Sequence, residues 1–555
     1  MTTRNTIFAG PARACARIPT VVLFVVELLV LSVVLVLGWK AWHGWPTVPL
    51  SDPDTWGYLN PALSWLSGLG FEQTDGRDWL YPTFLILFLK TTGSFTGIVA
   101  WQKFLGVIGG ILMAVTWRCW VSMLPFNRWV LFLLSLLGAV PIYVQLVNQQ
   151  NIFFEMSIRP EAVLSCFVYA QLACLMGYCK YRWQTPRALP SLLLGAAAIV
   201  LAYACILLKP SWYLAAAATA VPVFLGLFGK SLPLQTRLLT PALGIVASLL
   251  ILWLPPKAFV IRDSASATLL PDAIFCVHAR LVASSLDAKL AAMPDADPGK
   301  AKLQAFVNVL KSEIHNSEIG HRTYEKLGFD PDYLMHSDVL SAAIDNYTDK
   351  DRKKFGAFCM TSYRDAVFHN PGGFAKKIFD QFTYFLFPES KIFFTDRINL
   401  KKGYQETVAA LNPNQTTAFK PEVREMYRRY VADAAVQLAS TGTLGKDPKV
   451  RAFRQAFTPC ILPVELLFLA ALLATLIWSP LRPLRLGGWA AFMFFSAPLG
   501  NAVEVCLVHA LDIYRYRATY GGFLLFALMA MAVFVCVALA QSLSPSAEKS
   551  APPGA

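Results

Sequence analysis

The chain has 555 residues, of which 55% are hydrophobic and 15% charged, with a mean hydropathy of +0.47 and a formal net charge of +14. A soluble domain carries about a quarter charged residues, so this composition excludes an ordinary water-soluble protein. It calls for a bilayer, which takes apolar sequence in runs of about 20 residues.

The first such run is Ile18 to Trp39. It is too long, and too poorly followed by small residues, for a cleavable signal peptide, and reads as a signal anchor. Further runs lie at about 98–117, 129–147, 160–179, 190–208, 212–229 and 238–254, then at 459–479, 487–508 and 519–541. The predicted fold is therefore an all-α polytopic membrane protein of about ten transmembrane helices, grouped seven plus three. Lys and Arg in short loops are retained on the cytoplasmic side. Arg4, Arg13 and Arg17 precede the first run, and Arg118 with Arg128, Lys180 with Arg182 and Arg187, Lys230 with Arg237, and Arg482 with Arg485 fall at every second loop. Both termini are expected in the cytoplasm. The large segment after the seventh run mixes both signs of charge, so the net charge reflects sidedness and headgroup contact, and nucleic acid is not an expected partner.

The expected domains are a seven-span module over 1–254 with a first outer loop at about 40–97, an extracytoplasmic, mostly helical domain over 255–457, a three-span module over 458–541, and a disordered tail over 542–555. Within the first loop, the apolar stretch 79–90 is too short to span and suits a re-entrant or interfacial helix. In the large segment, Asn370-Pro-Gly-Gly373 leads into an aromatic-faced stretch ending at Phe387. That stretch suits either an interfacial helix or one packed on its own domain. Of the eleven cysteines none forms a CxxC or a metal spacing; Cys276 and Cys359 could pair in an oxidising compartment.

Chemistry concentrates in the first loop. Ser51-Asp-Pro-Asp-Thr-Trp-Gly-Tyr58 places Asp52 and Asp54 just after a span, where two carboxylates can share a divalent cation or one can act as a general base. Either also fits the N-cap of a helix beginning near Thr55. Cations stand at the predicted outer mouths: Arg77, Arg159, Lys209, Arg515 and Arg517. Arg159 can instead pair with Glu155 one turn away, Lys209 can snorkel, and Glu161 follows Pro160 at a helix start, where the dipole favours a carboxylate. Arg515 and Arg517 share a face only if that stretch is extended. Glu27, Glu465 and Glu504 lie inside runs and are functional candidates on that ground. His278 reads as a structural histidine or one near a cleft. Walker, GxGxxG, HExxH and GxSxG motifs are absent.

The pattern resembles the GT-C superfamily of membrane glycosyltransferases, in particular its aminoarabinose-transferase and protein-mannosyltransferase-like branch. Asp54-Thr-Trp-Gly-Tyr58 is similar to that family's acidic first-loop motif, Gly76-Arg77-Asp78-Trp79-Leu80-Tyr81-Pro82 loosely to a later element, Glu155-Met-Ser-Ile-Arg-Pro-Glu161 to the entry of its fourth span, and Asp512-Ile-Tyr-Arg-Tyr-Arg-Ala518 to a late Arg-Tyr element. The resemblance implies a GT-C-like fold and an inverting transfer of sugar from a polyprenyl phosphate to a lipid, glycan or protein, at the outer face of a bacterial inner membrane. It implies Asp54 as the base, with Asp52 as alternative or metal partner, no cofactor other than a divalent cation, and Arg77, Tyr81, Glu155, Arg159, Lys209, Arg515 and Arg517 as substrate-binding residues. A transporter or flippase for a lipid-linked glycan, or a non-catalytic envelope scaffold, is the competing expectation.

Overall fold

The computed structural model describes residues 20–73, 77–262, 266–320, 324–387, 398–442, 452 and 455–543. The N-terminal arginines, Asp75, Gly76 and the expected tail beyond Leu543 lie outside these residues.

The protein is a helical membrane bundle with a helical insertion. Among the described residues, nine helices are long and apolar enough to cross a membrane. They are Thr20–Ala41 (α1), Thr96–Val121 (α2), Arg128–Val147, Glu161–Gln184 (α3), Ala188–Leu208 (α4), Leu234–Phe259, Gln455–Ile477, Ser479–Val508 (α6) and Tyr514–Leu543 (α7), with the shorter apolar helix Tyr213–Leu225 (α5) following α4. That shorter helix occupies the run expected at 212–229. Its N-terminus is closed by Glu504 of α6, whose Oε2 accepts from Leu214 N at 2.8 Å. Small residues let the two backbones approach, as in many membrane helix pairs: a Cβ on Gly500 would lie 2.6 Å from Ala215 N. The in-span carboxylate Glu27 has an equally local partner, the guanidinium of Arg118 on α2. The central helices α3 and α7 carry the core, where Trp117, Trp120, Tyr169, Phe494 and Phe526 are buried and in ring contact. Each indole nitrogen is satisfied by a carbonyl, Trp120 Nε1 by Gly487 O at 2.9 Å and Trp117 Nε1 by Leu134 O at 2.8 Å.

The long segment between the spans contributes to two cores. Helices Ser266–Val277, Ala279–Ala292, Pro298–Ile319 and Arg352–His369 surround a small core of their own that includes Phe275, Leu286, Leu303, Phe306, Leu310 and Phe355. The apolar helix pair bent by 84° at His278 gives Phe275, Val282, Leu286 and Leu290 to this core and leaves Leu269 and Leu270 exposed. His278 Nε2 lies 3.0 Å from Leu507 O, a packing role. Cys276 and Cys359 are both buried in this core as free thiols, so the disulfide considered from sequence is not formed. The helices Pro371–Leu386 (α8), Leu400–Ala410 (α9) and Pro421–Ser440 (α10) instead join the core of the spans, through Phe385, Tyr404, Tyr427 and Tyr430. Asn370 caps α8 by accepting from Gly373 N at 2.8 Å, and Lys377 ties that helix to the C-terminal end of α6 by donating to Cys506 O and His509 O at 2.7 Å each. Among the described residues the strands are confined to a parallel pair, Phe71–Gln73 (β1) with Val260–Arg262 (β2), and one bridge between Leu50 and Ser157.

Candidate functional site

The first loop is held by long-range contacts before it presents any charge. Leu50 N donates to Met156 O and Ile158 N to Leu50 O, both at 2.9 Å. Tyr404 Oη of α9 donates to Val48 O at 2.7 Å, and Tyr430 Oη of α10 to Pro49 O at 3.0 Å. Ser51 N donates to Thr407 Oγ1 at 2.9 Å. The chain then turns at Asp52, an N-cap whose Oδ1 accepts from Asp54 N at 3.0 Å while its own N–H donates to Thr55 Oγ1 at 2.9 Å. The capping alternative therefore applies to Asp52. The short helix Trp56–Leu66 follows, and Leu80–Thr92 is the 13-residue helix expected from the stretch at 79–90.

Asp54 has no capping role. Its Oδ1 accepts from Arg77 Nη2 at 2.9 Å, its Oδ2 pairs with Arg515, and Arg159 stands 3.7 Å away. Arg159 also pairs with Asp52. Next to them Lys209 Nζ donates to Glu161 Oε1 at 2.6 Å and to Thr519 Oγ1 at 3.2 Å. Tyr516 joins the two halves, with Arg515 5.1 Å and Lys209 5.5 Å from its ring. Four cations and three carboxylates thus converge from three loops and two helix starts. Gly57 makes room for one of them, since a Cβ there would sit 2.7 Å from Arg77 Cδ.

Partial burial pushes the Asp54 carboxyl up, but Arg515 and Arg77 outweigh it and hold the group below the usual carboxylate range. Burial, reinforced by Arg515, draws Arg159 down to about 10. Both stay charged at neutral pH, so the cluster carries one net positive charge across Asp52, Asp54, Glu161, Arg77, Arg159, Lys209 and Arg515. That balance suits an anion. It does not fit a divalent cation: Asp52 and Asp54 are each already ion-paired to arginine, and among the described residues no three His, Cys, Asp or Glu gather as a ligand set.

Of the expected site residues the structure gathers Asp52, Asp54, Arg77, Arg159, Lys209 and Arg515, and leaves three outside. Glu155 does not meet Arg159. The helix Gln149–Met156 ends there and Ser157 is extended, so the two side chains leave in different directions. Glu155 accepts from Trp42 Nε1 at 2.9 Å instead, and burial raises its carboxyl to about 8. Arg517 sits two residues beyond Arg515 on one helix, about 200° around it, and stacks 4.3 Å from the Tyr384 ring while donating to Asp512 O. Tyr81 is a buried buttress: its hydroxyl donates to Gln102 Oε1 at 2.9 Å and its ring meets Tyr58, which in turn lies under Arg77. Four contributors were not among the residues expected to form the site. Glu161 was weighed only as a helix-start carboxylate, and Tyr516 was visible only as the residue between two arginines. Tyr430 and Thr407 have no local signal, lying more than 350 residues from the loop they hold.

No protein-family model and no curated protein matches the chain. Solved structures similar to it are those of the Archaeoglobus fulgidus oligosaccharyltransferase. The apo form is 12% identical, with a TM-score of 0.33 over 93% of this chain and 51% of that one. The complex with zinc and sulfate is 12% identical, with a TM-score of 0.31 over 92% and 53%. The chain thus spans about half the length of these structures, and at such TM-scores the likeness carries no argument about function.

Proposed function

We propose that the protein is a membrane glycosyltransferase of GT-C type, which takes its sugar from a polyprenyl phosphate at the outer face of a bacterial inner membrane. The supporting observation is the net-positive cluster at one end of an apolar bundle. A lipid-linked sugar phosphate places its phosphate at headgroup depth, and its departure leaves negative charge that guanidinium groups stabilise. Arg77, Arg159 and Arg515 are the groups assigned to that phosphate. Asp52 and Asp54 hold those arginines in place, and the phosphate competes with Asp54 for Arg77 and Arg515. The acceptor is a lipid, glycan or protein, and the sidedness follows the alternation of basic loops. Of the in-span carboxylates a transporter would use, Glu27 and Glu504 are committed to local structure, whereas Glu465 is buried with one oxygen that has no partner among the described residues.

The test is reconstitution of the chain with labelled polyprenyl-phosphate sugars. Release of free polyprenyl phosphate is expected, with loss of at least about tenfold in kcat/KM for Arg515→Gln. Donor that crosses the bilayer unbroken would identify a transporter instead.

A further inference from the structure

Every carboxylate oxygen of the cluster but one is engaged. Asp54 uses both oxygens on arginine; Asp52 uses one on Arg159 and one on its cap. Glu161 gives Oε1 to Lys209, whereas its Oε2 is buried and has no hydrogen-bond partner among the described residues. A buried carboxylate oxygen left in this state is expensive. The residue is only 7% exposed, and it lines a cavity with Gln145, Asn151, Ser165, Thr519 and Phe523. The cavity holds about 20 Å³, the space of one water-sized group.

The lining narrows what that group is. Gln145, Asn151, Ser165 and Thr519 bring amides and hydroxyls to the cavity alongside the apolar Phe154, Leu164 and Phe523, so a small group that both donates and accepts hydrogen bonds suits it. An ammonium is disfavoured, because Lys209 already neutralises Glu161 at 2.6 Å. A neutral hydroxyl satisfies each condition, donating to Oε2 and accepting from an amide or hydroxyl of the wall.

We infer that this cavity is the acceptor-hydroxyl subsite of the transfer, and that Glu161 is the catalytic residue receiving the hydroxyl proton, an inference that rests on the glycosyl-transfer reading. The acceptor oxygen bonds to the anomeric carbon as the bond from that carbon to the phosphate oxygen breaks. The proton passes to Glu161 Oε2, and the electron pair of the broken bond leaves on the phosphate beside Arg77, Arg159 and Arg515. Geometry favours Glu161 over Asp54 for this step, since a base must have an oxygen within reach of the proton it takes. Asp54 then keeps the arginines in order.

Water fits the same space, so the test uses water as the acceptor. The full chain in phospholipid nanodiscs is given undecaprenyl-phosphate-linked labelled hexoses, and free hexose is measured. At saturating donor, Glu161→Ala is expected to lower kcat by about 10²–10⁴-fold with little change in donor KM. Added formate should restore at least about tenfold in that variant and nothing in Arg515→Gln, a split that a merely structural role would not produce. Should Glu161→Ala fail to fold, Ser165→Leu fills the cavity and leaves the Glu161–Lys209 pair intact; it is expected to abolish hydrolysis with donor KM unchanged. Hydrolysis by Glu161→Ala or Ser165→Leu at the wild-type rate, or no rescue by formate of a folded Glu161→Ala, overturns the inference while leaving the transfer reading standing. A wild-type chain that cleaves none of these donors overturns both.

Discussion

At the scale of single residues, the site depends on which side chain is allowed to lie where. Gly57 is small because Arg77 crosses it, with no room for a Cβ beside the guanidinium. Gly57→Ala is therefore expected to push Arg77 off Asp54, weakening donor binding by about 10- to 100-fold, in line with a lost hydrogen bond to a charged group. A donor titration in nanodiscs measures it, and unchanged affinity would remove Arg77 from the phosphate site. Asp54 shows how far residue type alone could be read. Its position in Asp54-Thr-Trp-Gly-Tyr58 drew attention to a carboxylate near the membrane surface. That its two oxygens would both be taken by arginine depended on Arg515, 461 residues away. The neighbouring Glu161 has a free oxygen for the same kind of reason, since its other partner, Lys209, comes from the end of α4.

At the scale of elements, the loop is only as well placed as the helices that hold it. Tyr430 of α10 contacts both Ser51 Oγ, at 2.8 Å, and Pro49 O. Tyr430→Phe should destabilise the fold by about 1–2 kcal/mol and speed amide exchange in residues 50–56, with exchange elsewhere in the bundle unaffected. Helix α8 gives a pH-dependent counterpart. Burial lowers Lys377 to about 7, despite opposing contributions from Cys506 and Asp512, against about 10.4 in an unfolded chain. Between those values the unfolded chain binds more protons than the folded one, so stability rises with pH across that window and levels off on either side. Lys377→Met should flatten this dependence in thermal melts taken from pH 6.5 to 9.5. A slope that survives the substitution would assign it to another group. The amphipathic stretch of α8 was readable from sequence as interfacial or packed on its own domain, but the structure packs it on the core of the spans, with Lys377 on the last carbonyls of α6.

At the scale of the whole molecule, two cores share one chain. Leu310 is fully buried in the smaller core, so Leu310→Ala should cost about 3 kcal/mol there. Donor binding by the bundle is expected to persist; its loss would mean that the two cores fold as one unit. The expected sidedness is testable on the same scale. In a chain with Cys460 and Cys536 replaced by serine, an impermeant maleimide should label Asp295→Cys from outside intact cells and leave Arg187→Cys unlabelled, and the reverse pattern would invert the topology.

The sequence by itself determined that this is a helical membrane protein, because spans are a local property: some 20 apolar residues satisfy their own backbone inside the segment and need no partner. It also pointed to the loop and helix ends where charge collects, because charge beside a span is costly enough to stand out. Only the tertiary structure decided which charges meet. Glu155 turned to Trp42, Arg517 turned to Tyr384, and Asp52, Asp54, Arg77, Arg159, Glu161, Lys209 and Arg515 came together. The physical reason is that ion pairing depends on distance in space, while helix register, one extended residue at Ser157 and tyrosines hundreds of positions away set that distance.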